Sequence, residues 1–165
     1  MNDNRNNNRK IAYCGIFVSL AIILSWVELV IQLPIFIPGI KLGLANIVTL
    51  IVMYYFNTRI ALIVSIIRII VCGILFSGFS GFLYSLSGAI LSITIMIISK
   101  DILKLSIYTV SILGGISHNI GQIFIASLVV KTNFSIYVPI LIISGFITGI
   151  LIGIIAKNII NIINK

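Results

Sequence analysis

Charged side chains are scarce in this sequence. Only 8% of its 165 residues are charged, whereas 60% are hydrophobic, and an ordinary soluble domain carries roughly 25% charged residues. A soluble globule of this length leaves about 30% of its chain surface in water, so it has no means of hiding this much apolar surface. We therefore expect most of the chain to lie in lipid as one compact all-α bundle.

Carboxylates, histidine and cysteine are rarer still. The acidic residues are Asp3, Glu28 and Asp101, whereas chemistry on diphosphates usually holds Mg²⁺ through clustered carboxylates. There is no P-loop, no GxSxG pattern and one histidine, and Cys14 and Cys72 lack CxxC spacing, so a zinc site is not expected. The sequence thus predicts no catalytic residue, no metal and no cofactor, and any catalysis would belong to partner subunits.

The basic residues fall mostly in the short gaps between apolar runs, with no basic face interleaved with aromatics, so the net charge of +8 does not indicate nucleic-acid binding. It fits the positive-inside rule instead. With six spans, one side of the membrane holds Arg5, Arg9, Lys10, Arg59, Lys100, Lys104, Lys157 and Lys165, and the other holds Lys41 and Lys131. This asymmetry predicts both termini in the cytoplasm of a bacterial cell, an origin that the abundance of Ile, Asn and Lys also suggests.

Six apolar runs predict a bundle of about six transmembrane helices over residues 11–156, between polar cytoplasmic tails at residues 1–10 and 157–165. The runs cover residues 11–33, 42–56, 60–76, 82–98, 107–130 and 136–156. A spanning helix needs about 20 residues, so the run 42–56, about 22 Å long if helical, is short. Residues 33–41 are apolar but contain Pro34, Pro38 and Gly39, which forbid a regular helix. They predict either a flap over the outer end of the bundle or an ordinary turn in the membrane interface.

Small residues recur at four-residue spacing and predict close helix packing in lipid. Gly145, Gly149 and Gly153 line one face of the last helix, and Gly15 pairs with Ser19 in the first. Either these stripes pack within the bundle, or they dock onto a separate membrane subunit, for which the first helix is the best placed.

Polar side chains inside the apolar runs are the main functional signal, because such residues are costly in lipid and by default indicate function. We estimate the depth of each residue by counting about 1.5 Å per residue from the cytoplasmic end of its apolar run. The depths range from near the membrane midplane at Arg68 to near the outer face at Glu28, and these two look too different for a direct ion pair. On the fifth helix His118 and Gln122 share one face at i, i+4. The candidate binding residues are Glu28, Lys41, Asn46, Arg68, Tyr84, Ser85, His118, Asn119 and Gln122.

Two interpretations of these residues remain open. The polar groups either form interhelical hydrogen bonds that only fix the bundle, which we favour for Ser85, Ser87 and Asn119 taken alone, or they line a cavity open to the outside. We favour the cavity for Arg68 with His118, Gln122 and Glu28. In the second case Arg68, Lys41 and His118 would favour an anionic or strongly polar head group. The apolar walls would then take a ring system or an isoprenoid tail.

Three stretches carry a family resemblance: residues 41–50 (KLGLANIVTL), 82–88 (FLYSLSG) and 114–122 (GGISHNIGQ). Together they resemble the bacterial Gx transporter family, also named heptaprenyl diphosphate synthase component I, over nearly the whole chain. That family is similar in turn to the substrate-binding S components of energy-coupling-factor (ECF) transporters, which are six-helix membrane proteins.

The resemblance implies a membrane subunit that captures a small vitamin-like or cofactor-precursor ligand. It would dock onto a coupling subunit with two ATPases near Gly15 and Ser19, and residues before Lys41 would form a gating loop. Capture is the leading hypothesis. The synthase name implies an alternative role, that of a non-catalytic accessory to a soluble polyprenyl diphosphate synthase in isoprenoid biosynthesis. The aspartate-rich motifs of such synthases are missing here, so the reaction would belong to that partner.

Overall fold

The computed structural model describes residues 2–30 and 43–163, and within these ranges every regular element is helical. The predicted all-α class is confirmed. The run 107–130 matches the observed fifth helix, but the first helix begins within the polar segment predicted to be a tail. The longer helices are α1 Asn2–Val30, α2 Asn46–Tyr55, α3 Thr58–Cys72, α4 Gly78–Ile97, α5 Ile107–Val130 and α6 Val138–Ile163. Short helical turns lie between some of them, at Gly73–Ser77, Ile98–Ile102 and Ser135–Tyr137.

Four continuous helical stretches are long and apolar enough to cross a membrane: Ile11–Val30, Thr58–Ile102, Ile107–Val130 and Ser135–Ile163. The second of them contains both α3 and α4, which fold back on each other. Gly78 turns the chain with φ 63° and ψ 179°, a region open essentially to glycine alone. The Thr58 hydroxyl then donates to Asp101 Oδ2 at 3.0 Å, so the end of this stretch returns to its beginning.

The short helix α2 sits among the others, and Leu50, Val52 and Met53 are completely or almost completely buried. Its ten residues measure about 15 Å, which is less than the hydrocarbon core of a bilayer. The number of full spans therefore stays a prediction. At the C-terminal end of α2, Lys100 Nζ donates to the Met53 carbonyl at 2.9 Å and lies 5.3 Å from the centre of the Tyr54 ring.

The starts of two helices follow from capping residues. Asn57 accepts from the Ile60 amide at 2.9 Å at the start of α3, and Ser106 accepts from the Thr109 amide at 3.4 Å at the start of α5. Each cap satisfies one of the backbone donors that a helix N-terminus leaves unpaired. Both caps follow directly from the sequence, since an Asn or Ser stands just before an apolar helical run.

The helix α5 packs closely against both α4 and α6 because glycines remove the side chains between the backbones. A Cβ on Gly121 would lie 2.7 Å from the Ser87 carbonyl oxygen of α4, and a Cβ on Gly115 would lie 2.6 Å from the Gly145 carbonyl oxygen of α6. Approach at this range is how helices associate without a hydrophobic driving force in lipid. The bundle is therefore organised around α5.

The small-residue stripe of α6 is used inside the chain. Gly145 meets Gly115 and Ile116, Gly149 meets Ile112, and Gly153 meets Tyr108. Of the two interpretations of this stripe, the structure therefore adopts packing within the bundle. An interface with another protein at these three glycines would require α5 to move away.

Gly149→Ala is expected to destabilise the folded chain by about 1–3 kcal/mol, because the new Cβ would lie 2.6 Å from the Ile112 Cα. Gly15→Ala is the matched control, since no atom lies within 4 Å of a Cβ at that position, and alanine is the better helix former. Thermal unfolding in detergent measures both variants. An unchanged midpoint for Gly149→Ala would contradict the packing of α5 on α6.

Candidate ligand-binding site

Two polar side chains of α5 lie against a glycine of α4. A Cβ on Gly88 would lie 2.8 Å from the Gln122 Cγ and 3.0 Å from the His118 Cε1, so any larger residue would displace them. His118 and Gln122 are 2% and 0% exposed. The i, i+4 spacing thus brings both polar groups to the α4 contact.

The opposite edge of the His118 ring faces the beginning of α2. Gly43 has φ 83°, and a Cβ there would lie 3.3 Å from the His118 Cδ2 and 2.9 Å from the Asn46 Nδ2. A positive φ is the conformation that favours glycine. The imidazole is thereby held between Gly43 and Gly88, with Asn46 and Gln122 as neighbours.

Glu28 connects α1 to the start of α2, beside His118. Its Oε1 accepts a hydrogen bond from the Gly43 amide and one from the Leu44 amide at 3.4 Å. These amides come just before α2, where a negative charge also interacts favourably with the helix dipole. The only glutamate of the sequence therefore holds the end of α1 to the start of α2.

Arg68 of α3 lies next to this cluster and is 6% exposed. Its Nη1 is 3.5 Å from the Ser25 hydroxyl of α1, which is long for a hydrogen bond. Glu28 is close enough to interact with it electrostatically.

We define the polar cluster by Glu28, Asn46, Arg68, His118 and Gln122. These five candidate residues come from four helices, α1, α2, α3 and α5, and the structure brings them into one region. Lys41 and the proposed flap lie outside the described residues.

The other candidates lie apart or are engaged elsewhere. Asn119 donates through Nδ2 to the Leu141 carbonyl at 2.9 Å and lies 3.1 Å from the Ser144 hydroxyl, so it joins α5 to α6. Tyr84 is buried on α4, one turn before Gly88. The Ser85 hydroxyl is buried without a hydrogen-bond partner in the described residues.

A small cavity lies beside the polar cluster, lined by Asn46, Leu50, Met96, Ser111, Gly114, Gly115 and Ile152. Its volume of about 10 Å³ is near the minimum that holds one water molecule. This cavity is too small for a vitamin or a prenyl chain. The flap predicted over the outer end of the bundle, residues 33–41, lies outside the described ranges.

Several residues that shape the site carried no polar signal of their own. Gly43 and Gly88 matter because a side chain would collide with the cluster, and both lie in the stretches singled out above. Gly88 and Ser92 are spaced by four residues, a small-residue pattern from which the packing face of α4 could have been predicted. The Ser92 hydroxyl donates to the Gly114 carbonyl of α5 at 2.8 Å. No sequence feature pointed to Ser25.

A helical chain with several long apolar helices and a polar cluster among them is a helical membrane protein. The sequence matches the family model described as heptaprenyl diphosphate synthase component I over residues 17–159. The chain therefore belongs to that family, and the resemblance seen in its three motifs is confirmed. No curated protein and no solved structure matches it. The likeness to ECF S components stays a prediction.

Asn119→Asp is expected to destabilise the bundle by about 1–3 kcal/mol, because an ionised carboxylate cannot donate to the Leu141 carbonyl. Asn158→Asp places the same change on the exposed side of α6 and is expected to stay within about 0.5 kcal/mol of the parent chain. Thermal unfolding in detergent tests the pair. Equal effects at both positions would argue against the α5–α6 hydrogen bond.

Proposed function

We propose that this chain is the membrane-embedded, non-catalytic component I of a heptaprenyl diphosphate synthase. The observation that carries the proposal is the family match over residues 17–159. The membrane subunit would hold the polar end of an isoprenoid compound, and the chemistry would take place in a soluble partner.

The positions and hydrogen-bond partners of the carboxylates support a non-catalytic role. Glu28 accepts from the amides before α2, while Asp101 accepts from Thr58 and lies 3.4 Å from Lys100 Nζ. Diphosphate chemistry with Mg²⁺ relies on carboxylates that converge on the ion. Among the described side chains, Glu28 and Asp101 lie near opposite ends of α2, each with its own partners.

The polar cluster supports binding of a ligand with a polar head and an apolar body. His118, Gln122 and Asn46 are polar groups buried in a bundle whose outer surface is apolar, and polar residues inside a membrane indicate function by default. Placing them beside Arg68 yields one region able to hold a head group. The apolar helix surfaces around it suit an isoprenoid chain.

The distribution of basic residues suggests where the soluble partner meets this chain. Arg59, Lys100 and Lys104 lie at the end of the bundle joined by the Thr58–Asp101 contact, and Lys157 lies near the same end because Gly153 meets Tyr108 at the start of α5. Lys131 follows the opposite end of α5. By the positive-inside rule, the end with more basic residues would face the cytoplasm, where the synthase subunit would dock.

The test is co-expression with the soluble, aspartate-rich prenyl diphosphate synthase of the same organism. We expect the two proteins to co-purify, and we expect the product chain length to change when the membrane chain is omitted. The double variant Arg59→Glu, Lys104→Glu should weaken co-purification, whereas Lys131→Glu at the other end should not. An unchanged product and no association would overturn this function.

A second candidate is a capture subunit similar to ECF S components, which would bind a small vitamin-like or cofactor-precursor ligand and dock onto a coupling subunit with ATPases. It is favoured by the first helix, where Gly15 and Ser19 lie on an exposed face and a Cβ on Gly15 would meet nothing within 4 Å. Such a small-residue surface suits close approach by another membrane helix.

The capture role predicts that the chain purified alone carries a small molecule. Mass spectrometry of the extracted protein should identify it, and His118→Ala should reduce the recovered amount by at least tenfold, because the imidazole lies at the centre of the polar cluster. Phe124→Ala, at a side chain of α5 that is 63% exposed, is the control. Recovery of nothing, with no thermal shift across vitamins, quinone precursors and flavins, would contradict capture.

A further inference from the structure

The guanidinium of Arg68 is incompletely satisfied by the protein. Two of its three nitrogens, Nε and Nη2, are buried without a hydrogen-bond partner in the described residues, and the third makes only the 3.5 Å contact with Ser25. An arginine near the middle of a membrane costs roughly 2.5–3.5 kcal/mol on insertion scales. A buried cation with open donors needs a partner that the described protein does not supply.

The open donors form a pair with a defined shape. Nε–H and Nη2–H lie on the same edge of the planar guanidinium and point in nearly parallel directions, while Nη1 is on the side turned to Ser25. This edge matches two oxygens of a carboxylate or phosphate group and binds them through two parallel hydrogen bonds. The empty edge is therefore selective for a bidentate oxyanion.

A second unpartnered donor lies on the same helix face. The Ser65 hydroxyl is 1% exposed and has no hydrogen-bond partner in the described residues. It stands one turn before Arg68, at the i, i+3 spacing that places two side chains together. Two side chains with hydrogen-bond donors that are unpartnered within the described residues therefore lie together on one buried face of α3, which is the arrangement of a binding site.

Glu28 lowers the cost of the buried cation without filling the empty edge. It interacts electrostatically with Arg68, but its Oε1 accepts from the amides of Gly43 and Leu44, and Nε and Nη2 stay open. The countercharge therefore leaves the parallel donor pair available.

We propose that the Nε and Nη2 edge of Arg68, with the Ser65 hydroxyl beside it, binds a phosphate-type oxyanion of an amphipathic ligand. This deepens the proposed function and rests on it for the apolar part of the ligand, which would be a prenyl chain. The same oxyanion chemistry is offered by free pyrophosphate and by an anionic lipid head group, and the experiment separates these sources.

The first measurement uses the unaltered chain, so it does not depend on a variant that folds. Spectra of ¹⁵N-labelled arginine Nε–H groups contain signals from Arg5, Arg9, Arg59 and Arg68. Addition of geranylgeranyl diphosphate or inorganic pyrophosphate in neutral detergent should move the Arg68 signal downfield and leave Arg59 unchanged. A shift in phosphatidylglycerol nanodiscs without either compound would assign the site to a lipid head group.

The second measurement compares affinities by calorimetry with geranylgeranyl diphosphate. Arg68→Lys keeps the charge but loses the parallel pair of donors, and it should raise Kd by at least tenfold. Arg59→Lys makes the same change at the exposed start of α3 and should stay within twofold. Ser65→Ala should raise Kd by about threefold to tenfold, the loss of one hydrogen bond.

An Arg68 signal that moves with none of the three sources would mean that only water occupies this edge, and would overturn the proposal. Equal affinities for Arg68→Lys and the parent chain would overturn it as well. These outcomes are separate from the fate of the proposed function. Association with a synthase without any Arg68 shift refutes the oxyanion site alone, and an Arg68 shift without association refutes the synthase role alone.

Discussion

The close approach of α5 to its neighbours is the constraint on which the rest of this structure depends. In lipid, apolar side chains gain nothing by leaving the solvent for the protein interior, so helices hold together through contact at short range and through hydrogen bonds. Gly115 and Gly121 permit that contact on two sides of one helix. The side chains between these glycines, His118 above all, are then fixed in position by the backbones around them.

The same contacts decide which polar groups become structural. The hydroxyls of Ser87 and Ser92 donate to carbonyls of α5, and Asn119 donates across to α6, so each has a partner on the adjoining helix. The half made of α1 and α3 contains no comparable glycine contact in the described residues, and its polar groups include the open guanidinium of Arg68. Within the described ranges, polar atoms without a hydrogen-bond partner occur on both sides, the Ser85 hydroxyl of α4 among them, but the buried cation with open donors lies on α3 beside α1.

Much of this was predictable from the chain alone. The helical class, the extent of α5 and the use of small residues followed from composition and spacing, because lipid imposes helices on any apolar run of sufficient length. The hydrogen bonds from the Gly43 and Leu44 amides to Glu28 were not predictable, because they depend on the late start of α2 at Asn46, which the apolar run 42–56 does not reveal. The role of Gly43 depends on a contact with His118 that no local pattern reveals.

The bond from Lys100 to Met53 has a consequence for how the protein responds to its surroundings. A helix of about 15 Å is shorter than the hydrocarbon layer, and its last carbonyls have no partner within the helix. Because an ammonium from the neighbouring α4 end meets one of these carbonyls, the position of α2 is set by its neighbours rather than by the surrounding lipid. Asn46, at the other end of α2, would thus keep its place in bilayers of different thickness.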